Sequence, residues 1–148
     1  MLKPVLWIHG EALGPANPAL VAHPAAPAVF VFDRELIETQ CLSLKRLGFI
    51  YECLLELPVT LRHGDVAQEV LSFARRHGAD GVVTSAAVDP RFGLLREQIA
   101  THLPVQVLEP EPFVALPEPL DLRRFSRYWR RAEPVLWGRG SAAAPPAP

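Results

Sequence analysis

The chain has 148 residues, of which 49% are hydrophobic and 21% charged, and its formal net charge is -1. This length and composition predict one ordinary folded domain and exclude an intrinsically disordered chain. The near-neutral charge gives no electrostatic reason to expect nucleic acid or an anionic membrane as a partner. Because the sequence shows neither a membrane-spanning apolar run nor the layout of a signal peptide, we expect a cytoplasmic protein.

Five short runs rich in Val, Ile, Leu and Phe recur along the chain, with helical stretches between them. They cover residues 5–9, 28–33, 59–63, 81–85 and 105–109. None alternates strictly between apolar and polar residues, which is typical of strands covered on both faces of a parallel sheet. The succession of strand and helix predicts a doubly wound, Rossmann-like α/β fold with about five parallel strands and helices on both faces.

Local signals indicate where the intervening helices begin and end. Asn17 and Asp89 each stand before a proline, which combines an N-cap side chain with proline at the first helical position. Asp65 predicts a third N-cap, and Gly78 predicts a C-cap at the end of the helix that follows Asp65. Asp121 is expected to cap a last short helix.

Residues 110–119 contain four prolines and predict an extended connector. In the helix expected beyond it, Phe125, Tyr128 and Trp129 share one face. Five arginines surround these rings in residues 123–131. Arginine interleaved with aromatic residues can indicate nucleic-acid contact, but this spacing favours a docking helix, and we expect no direct nucleic-acid partner.

Six short motifs follow one another in the sequence. They are Trp7 in the first strand and the segments 17–20, 46–54, 61–65, 77–80 and 125–130. In the same order, they resemble motifs of the amino-terminal α/β domain of DNA photolyases and cryptochromes. The resemblance implies the antenna-domain fold of that family.

The resemblance implies a stand-alone domain over residues 1–132, followed by a Pro- and Ala-rich tail over residues 133–148 that we expect to be disordered. In the family, the flavin-binding helical domain begins just beyond the position of Trp129, and these 148 residues do not contain it. We therefore expect a binding or interaction module without repair activity of its own. The partner would be a separate flavin-binding photolyase-type chain, or a second copy held through Phe125, Tyr128 and Trp129.

The carboxyl ends of the strands are the expected ligand site of such a sheet. In the resembled family, this crevice holds an antenna chromophore, which is a folate, a deazaflavin or a second flavin. Here it would be lined by residues that follow the first, second and fourth strands. These residues are His9, Gly10, Glu11, Asp33, Arg34, Ser85 and Asp89.

This set departs from the family pattern at two places. Residues 9–11 read His-Gly-Glu in place of Arg-Arg-Asp, and residues 85–88 read Ser-Ala-Ala-Val in place of Asn-Arg-Glu-Tyr. Each lost charge-assisted hydrogen bond removes about 1.5–3 kcal/mol from binding. The three carboxylates of the set predict an acidic crevice, opposed only by Arg34 and a partly protonated His9. We therefore expect no cofactor, with some other small planar or anionic ligand as the alternative.

Two other functions remain open. The chain could be the antenna-chromophore subunit of a split photolyase, or a nucleotide-binding protein of the universal-stress type, which shares the same broad architecture. Residues 79–83 are compatible with a photolyase-type domain and with a universal-stress-type protein. The glycine-rich phosphate loop of the second class, Gly-x-x-Gly followed by a distant Gly-Ser or Gly-Thr, is absent after Ser85, which counts against it.

Motifs for metal binding and catalysis are absent from the sequence. The cysteines and histidines lack metal-ligand spacing, so we expect no metal site. No nucleophile elbow, P-loop or Gly-x-Gly-x-x-Gly motif occurs either. The chain therefore carries no complete catalytic machinery that the sequence reveals, and whether it is an enzyme stays open.

Overall fold

The computed structural model describes residues 3–40, 42–117 and 120–138. Strands and helices alternate over the first 110 residues. The strands are β1 (Pro4–Ile8), β2 (Ala28–Asp33), β3 (Val59–Gly64), β4 (Gly81–Ser85) and β5 (Val105–Leu108). The helices are α1 (Pro18–Ala22), α2 (Arg34–Thr39), α3 (Leu44–Leu55), α4 (Val66–His77) and α5 (Pro90–Ala100).

The strands form one parallel sheet in the order β3-β2-β1-β4-β5. In the β1 pairings, Leu6 lies opposite Ala28 of β2 and Val83 of β4. The strand order therefore reverses at β1, and the crossovers on its two sides run over opposite faces of the sheet. This confirms the doubly wound α/β fold predicted from the sequence. Such a reversal leaves a crevice outside the carboxyl ends of the central strands.

The two faces of β1 belong to two different core layers. Val5 and Trp7 pack in the layer formed with α4 and α5, whereas Leu6 and Ile8 pack in the layer formed with α1 and α3. Successive side chains of a strand face opposite sides of a sheet, so a strand covered on both sides is apolar throughout. This is the physical reason for the unbroken apolar run in β1.

The predicted helix caps are confirmed for α1, α4 and α5. The side chains of Asn17, Asp65 and Asp89 each accept a hydrogen bond from a backbone N–H of the first helical turn. Gly78 ends α4 with φ of 57°, the left-handed conformation that glycine adopts without a Cβ clash. Asp33 caps α2, a short helix that the sequence analysis did not separate from its surroundings.

The expectation that Asp121 caps the last helix is wrong. This helix, α6 (Phe125–Leu136), begins after Arg124 and has no side-chain cap. Asp121 instead accepts a hydrogen bond from the backbone N–H of Arg123 and pairs with the Arg127 guanidinium. It closes a turn just before α6, because its carboxylate is one turn too early to reach the amides of α6.

Residues from 111 onward form a second compact unit. The predicted boundary between domain and tail falls inside α6, and residues 139–148 of the predicted tail lie outside the described residues. The Phe125 ring stacks on Trp129 with centroids 5.7 Å apart and is 72% exposed, whereas Tyr128 and Trp129 are half-buried. Self-association through these rings stays a prediction. Measured against what a bilayer crossing requires, every helix in the described part of the chain is too short or too polar.

Candidate ligand-binding site

A cavity of about 310 Å³ opens where β1 and β2 end. Its walls come from the loop after β1, the end of β2, the helices α2 and α3, and the first turns of α5. Most of the lining is apolar, and includes Leu36 and Ile37 from α2 and Leu47 from α3. The charged and titratable lining residues are His9, Glu11, Asp33, Arg46, Asp89 and Arg91. This balance of apolar wall and few polar groups is typical of small-ligand sites.

Three aromatic rings, two of them stacked, form the wall beside β1. Trp7 lies nearly parallel to Phe92, with an interplanar angle of 18° and centroids 5.3 Å apart. The His9 ring lies 5.3 Å from Phe92 and 6.0 Å from Trp7. Aromatic contacts at these separations are favourable and hold the rings in fixed orientations. The sequence analysis did not single out Phe92, although its position in the first turn after Asp89 placed it at this edge of the sheet.

The hydrogen bonds of His9 define its tautomer. Its Nδ1 accepts a hydrogen bond from the backbone N–H of Glu11 at 3.3 Å, so the ring proton sits on Nε2. Nε2 then donates to the carbonyl oxygen of Ser85 at 2.9 Å and lies 3.1 Å from the Ser85 hydroxyl. Burial lowers the pKa of His9, and the Ser85 carbonyl and Glu11 oppose this only in part. The lowered pKa favours the neutral ring at pH 7 over the partly protonated His9 that the sequence analysis expected.

The lowered pKa of His9 predicts an acid-dependent loss of stability. The unfolded chain takes up a proton at the ordinary pKa of 6.5, whereas folded His9 resists it, so the free energy of unfolding falls as the pH drops below 6.5. We expect a His9→Gln variant to lose less stability than the wild type between about pH 7.5 and about pH 5.5. Urea unfolding of both proteins at these two pH values measures the difference. Equal losses in the two proteins would contradict the assignment.

Ser85 lies behind His9 rather than in the cavity. Its side chain is completely buried, and its hydroxyl lies 3.5 Å from the Asn17 amide nitrogen. Asn17 also donates to the carbonyl oxygen of Ala12 while capping α1. Because Nε2 of His9 carries the proton, the ring is a donor toward Ser85 and not a base that could activate its hydroxyl. The pair therefore positions the histidine ring and lacks the arrangement of a nucleophile and its base.

Glu11 joins the loop after β1 to the loop after β4. Its two carboxylate oxygens accept hydrogen bonds from the backbone N–H groups of Val88 and Asp89, each at 3.0 Å. Backbone N–H groups just before a helix are the donors that commonly bind phosphate or another anion. Here the protein's own carboxylate occupies them. The sequence analysis named Glu11 but not this role, which depends on a contact between residues 77 positions apart.

Arg91 is one of the two arginines that line the cavity, the other being Arg46. It donates to Asp33 at 2.6 Å and to Glu35 at 2.7 Å, which connects the first turn of α5 to the first turn of α2. The hydrogen bond that Arg91 donates to Asp33, together with the one that it donates to Glu35, raises the pKa of Arg91 above its already high ordinary range. Arg34 is exposed and does not line the cavity.

The expectation that only Arg34 and His9 oppose the three carboxylates is wrong, because Arg91 pairs with Asp33 and Arg46 also lines the cavity. Asp33 is neutralised by Arg91, and the Glu11 and Asp89 carboxylates accept hydrogen bonds from backbone amides. Of the seven predicted site residues, His9, Gly10, Glu11, Asp33 and Asp89 line the cavity, whereas Arg34 and Ser85 do not. Among the residues that the structure describes, no cluster of His, Cys, Asp and Glu side chains is arranged to hold a metal ion.

Comparisons with known proteins place this geometry among α/β folds of one type. No family model matches the chain, and no curated protein matches its sequence. One solved structure with a similar fold is that of hypothetical protein MJ0577, which is presented as a structure-based assignment of biochemical function. It matches with a TM-score of 0.50 and 15% identity, over 75% of this chain and 98% of that one. The likeness is one of fold. Hypothetical protein PH0823 matches with a TM-score of 0.40 and 13% identity over 74% of this chain and 94% of its own.

The assignment to the photolyase and cryptochrome family is wrong, because no family model matches the chain and the solved structure that shares its fold, hypothetical protein MJ0577, is not a photolyase. The structure explains why the motifs misled. Asn17 and Asp65 are helix N-caps and Gly78 is a helix C-cap. Doubly wound sheets commonly have such residues at these turns, so the residues indicate the architecture and do not identify the family. The antenna chromophore, which was only an alternative to the expected absence of a cofactor, and the flavin-domain partner both depended on that resemblance and lose their basis with it.

Proposed function

We propose that the chain is a small-ligand-binding protein of the universal-stress type, and that its ligand is a nucleoside or a planar molecule of similar size. The cavity at the carboxyl ends of β1 and β2 is the observation that carries this proposal. Its volume of about 310 Å³ lies at the lower end of the range for small-molecule sites, about 300–1,000 Å³. A single ring system with a sugar fits that size better than a dinucleotide does.

The lining favours a planar and mostly apolar ligand. Leu36, Ile37 and Leu47 form one side of the cavity, and the ring of Phe92 lies on another. A heterocycle placed between them exchanges water for aromatic and aliphatic contacts, which favours binding by about 25 cal/mol for each Å² of apolar surface removed from water. The neutral His9 ring and the Glu11 carboxylate supply polar groups at the rim that can orient the ligand.

The charges at the site disfavour a phosphorylated ligand. Glu11 already occupies the backbone N–H groups of Val88 and Asp89, which are the natural phosphate donors at the start of α5. The lining holds two arginines, Arg46 and Arg91, against three carboxylates, and Arg91 is paired with Asp33 and Glu35. The sequence also lacks the glycine-rich phosphate loop after Ser85. Adenosine should therefore bind more tightly than AMP, and AMP more tightly than ATP.

Filling the cavity tests this function. An Ile37→Trp substitution places a large side chain in the cavity, and we expect the affinity for adenosine to fall at least about tenfold, or 1.4 kcal/mol. Isothermal titration calorimetry of the full chain with adenosine, AMP and ATP measures the affinity and its order. Leu94→Trp is the matched control, because Leu94 is 62% exposed on α5 and does not line the cavity. Wild-type protein that binds none of the three nucleosides and nucleotides at about 1 mM would contradict the proposal.

A further inference from the structure

The helix α3 carries apolar residues both on the side that is covered and on a side that is exposed. Leu47 and Ile50 are half-buried and Leu54 is fully buried against the sheet. Leu44 is 85% exposed, and three further large apolar residues of the same helix are exposed as well, of which Phe49 lines the cavity. Apolar residues that gather on an exposed helix face commonly mark an interaction surface. In the first compact unit, this second face of α3 is in solvent.

The exposed residues of α3 form one straight stripe. Leu44, Gly48, Tyr51 and Leu55 follow the spacing i, i+4, i+7, i+11, which places them along a single side of a helix. Tyr51 is 48% exposed and Leu55 is 64% exposed. A Cβ built on Gly48 would meet no atom within 4 Å, so packing inside the chain does not require glycine there. Its small size leaves a gap in the middle of the stripe, next to the Tyr51 ring.

One flank of this stripe carries opposite charges at its two ends. Lys45 and Glu52 are seven residues apart, so they lie on the same side of α3, with the cation nearer the amino end. Two copies of α3 packed antiparallel about a two-fold axis would bring Lys45 of one copy beside the Glu52 of the other. With a rise of 1.5 Å per residue, these two positions lie within about 3 Å of each other along the helix axes.

We propose that the outer face of α3 binds a second copy of this chain in an antiparallel, two-fold symmetric pair. Each Tyr51 ring would pack over Gly48 of the other copy, with Leu44 of one copy against Leu55 of the other, and two Lys45–Glu52 pairs would flank the contact. The surface is self-complementary in shape and in charge, as a two-fold interface requires. A single helix pair buries less than the ~1,200 Å² of standard interfaces, so the dimer is weak and depends on concentration.

Charge reversal tests the pairing in solution. We expect the wild-type chain to show a monomer–dimer equilibrium in sedimentation experiments that extend to about 1 mM protein. Lys45→Glu and Glu52→Lys should each weaken the dimer about tenfold, because each places like charges at both flanking pairs. An equimolar mixture of the two single variants should recover a heterodimer at the wild-type level. Only an antiparallel contact through α3 predicts that recovery.

Three further variants separate this contact from misfolding and from other surfaces. Gly48→Leu should raise the melting temperature of the monomer, since leucine favours a helix over glycine, yet abolish the dimer. Arg75→Glu, on the exposed surface of α4, and Phe125→Glu, in α6, should leave the dimer unchanged. Sedimentation as a monomer up to about 1 mM, a mixture that fails to associate, or dissociation caused by Phe125→Glu instead would overturn the proposal.

Discussion

Replacing Arg91 by alanine is expected to lower the free energy of unfolding by about 2–3 kcal/mol. Arg91 holds the Asp33 carboxylate at 2.6 Å, and the Asp33 side chain is only 11% exposed. Without the guanidinium, this carboxylate keeps only the two backbone N–H groups of the α2 cap as partners. Removing one member of a largely buried ion pair leaves an uncompensated charge, and that penalty exceeds the value of the pair itself.

A second arginine of α5 provides the matched control. Arg96 lies 3.6 Å from Glu97, and both side chains are well exposed, so Arg96→Ala should cost no more than about 0.5 kcal/mol. Urea unfolding of the two variants and the wild type at pH 7 gives the comparison. The double variant Arg91→Ala, Asp33→Asn should regain part of the loss, because it removes the unpaired charge. If Arg91→Ala and Arg96→Ala proved equally mild, the link between α5 and α2 would not be a stabilising contact.

A Glu11→Ala variant is expected to reverse the ligand preference of the proposed site. The substitution removes one negative charge and frees the N–H groups of Val88 and Asp89 just before α5. These donors are then available to a phosphate, as at other helix amino termini. We expect the affinity for AMP relative to adenosine to rise about tenfold, which corresponds to 1.4 kcal/mol. Calorimetric titration with the two ligands measures this ratio.

Stability must be followed in the same experiment, because Glu11 also joins two loops. Glu11 is exposed, so we expect its loss to cost only about 1 kcal/mol, which leaves the variant folded. Glu97→Ala is the control, since it removes an equally exposed carboxylate from α5. A variant that binds adenosine normally but shows no gain for AMP would contradict the role of Glu11 as the group that keeps phosphate out. A variant that binds neither ligand would count against the cavity itself.

Local interactions explain which features the sequence predicted well. All five strands and the caps at Asn17, Asp65, Asp89 and Gly78 are as expected. A cap bonds to amides two or three residues away, and an apolar run reports burial of its own residues, so both can be read from a short stretch. The same locality explains the mistaken family. The matched motifs are turn and cap residues that many α/β proteins need.

The amino-acid sequence by itself determined the class of fold, the position of the crevice at the carboxyl ends of the strands, and five of the residues that line it. The tertiary structure decided their charges and their partners. Arg91 meets Asp33 across 58 residues, and His9 meets Ser85 across 76. Such contacts depend on which loops the strand order brings together, and no local sequence pattern predicts which residues so far apart in the chain will meet. Burial then makes His9 neutral, and pairing offsets the charge of Asp33, because both effects arise only once distant segments exclude water from the same site.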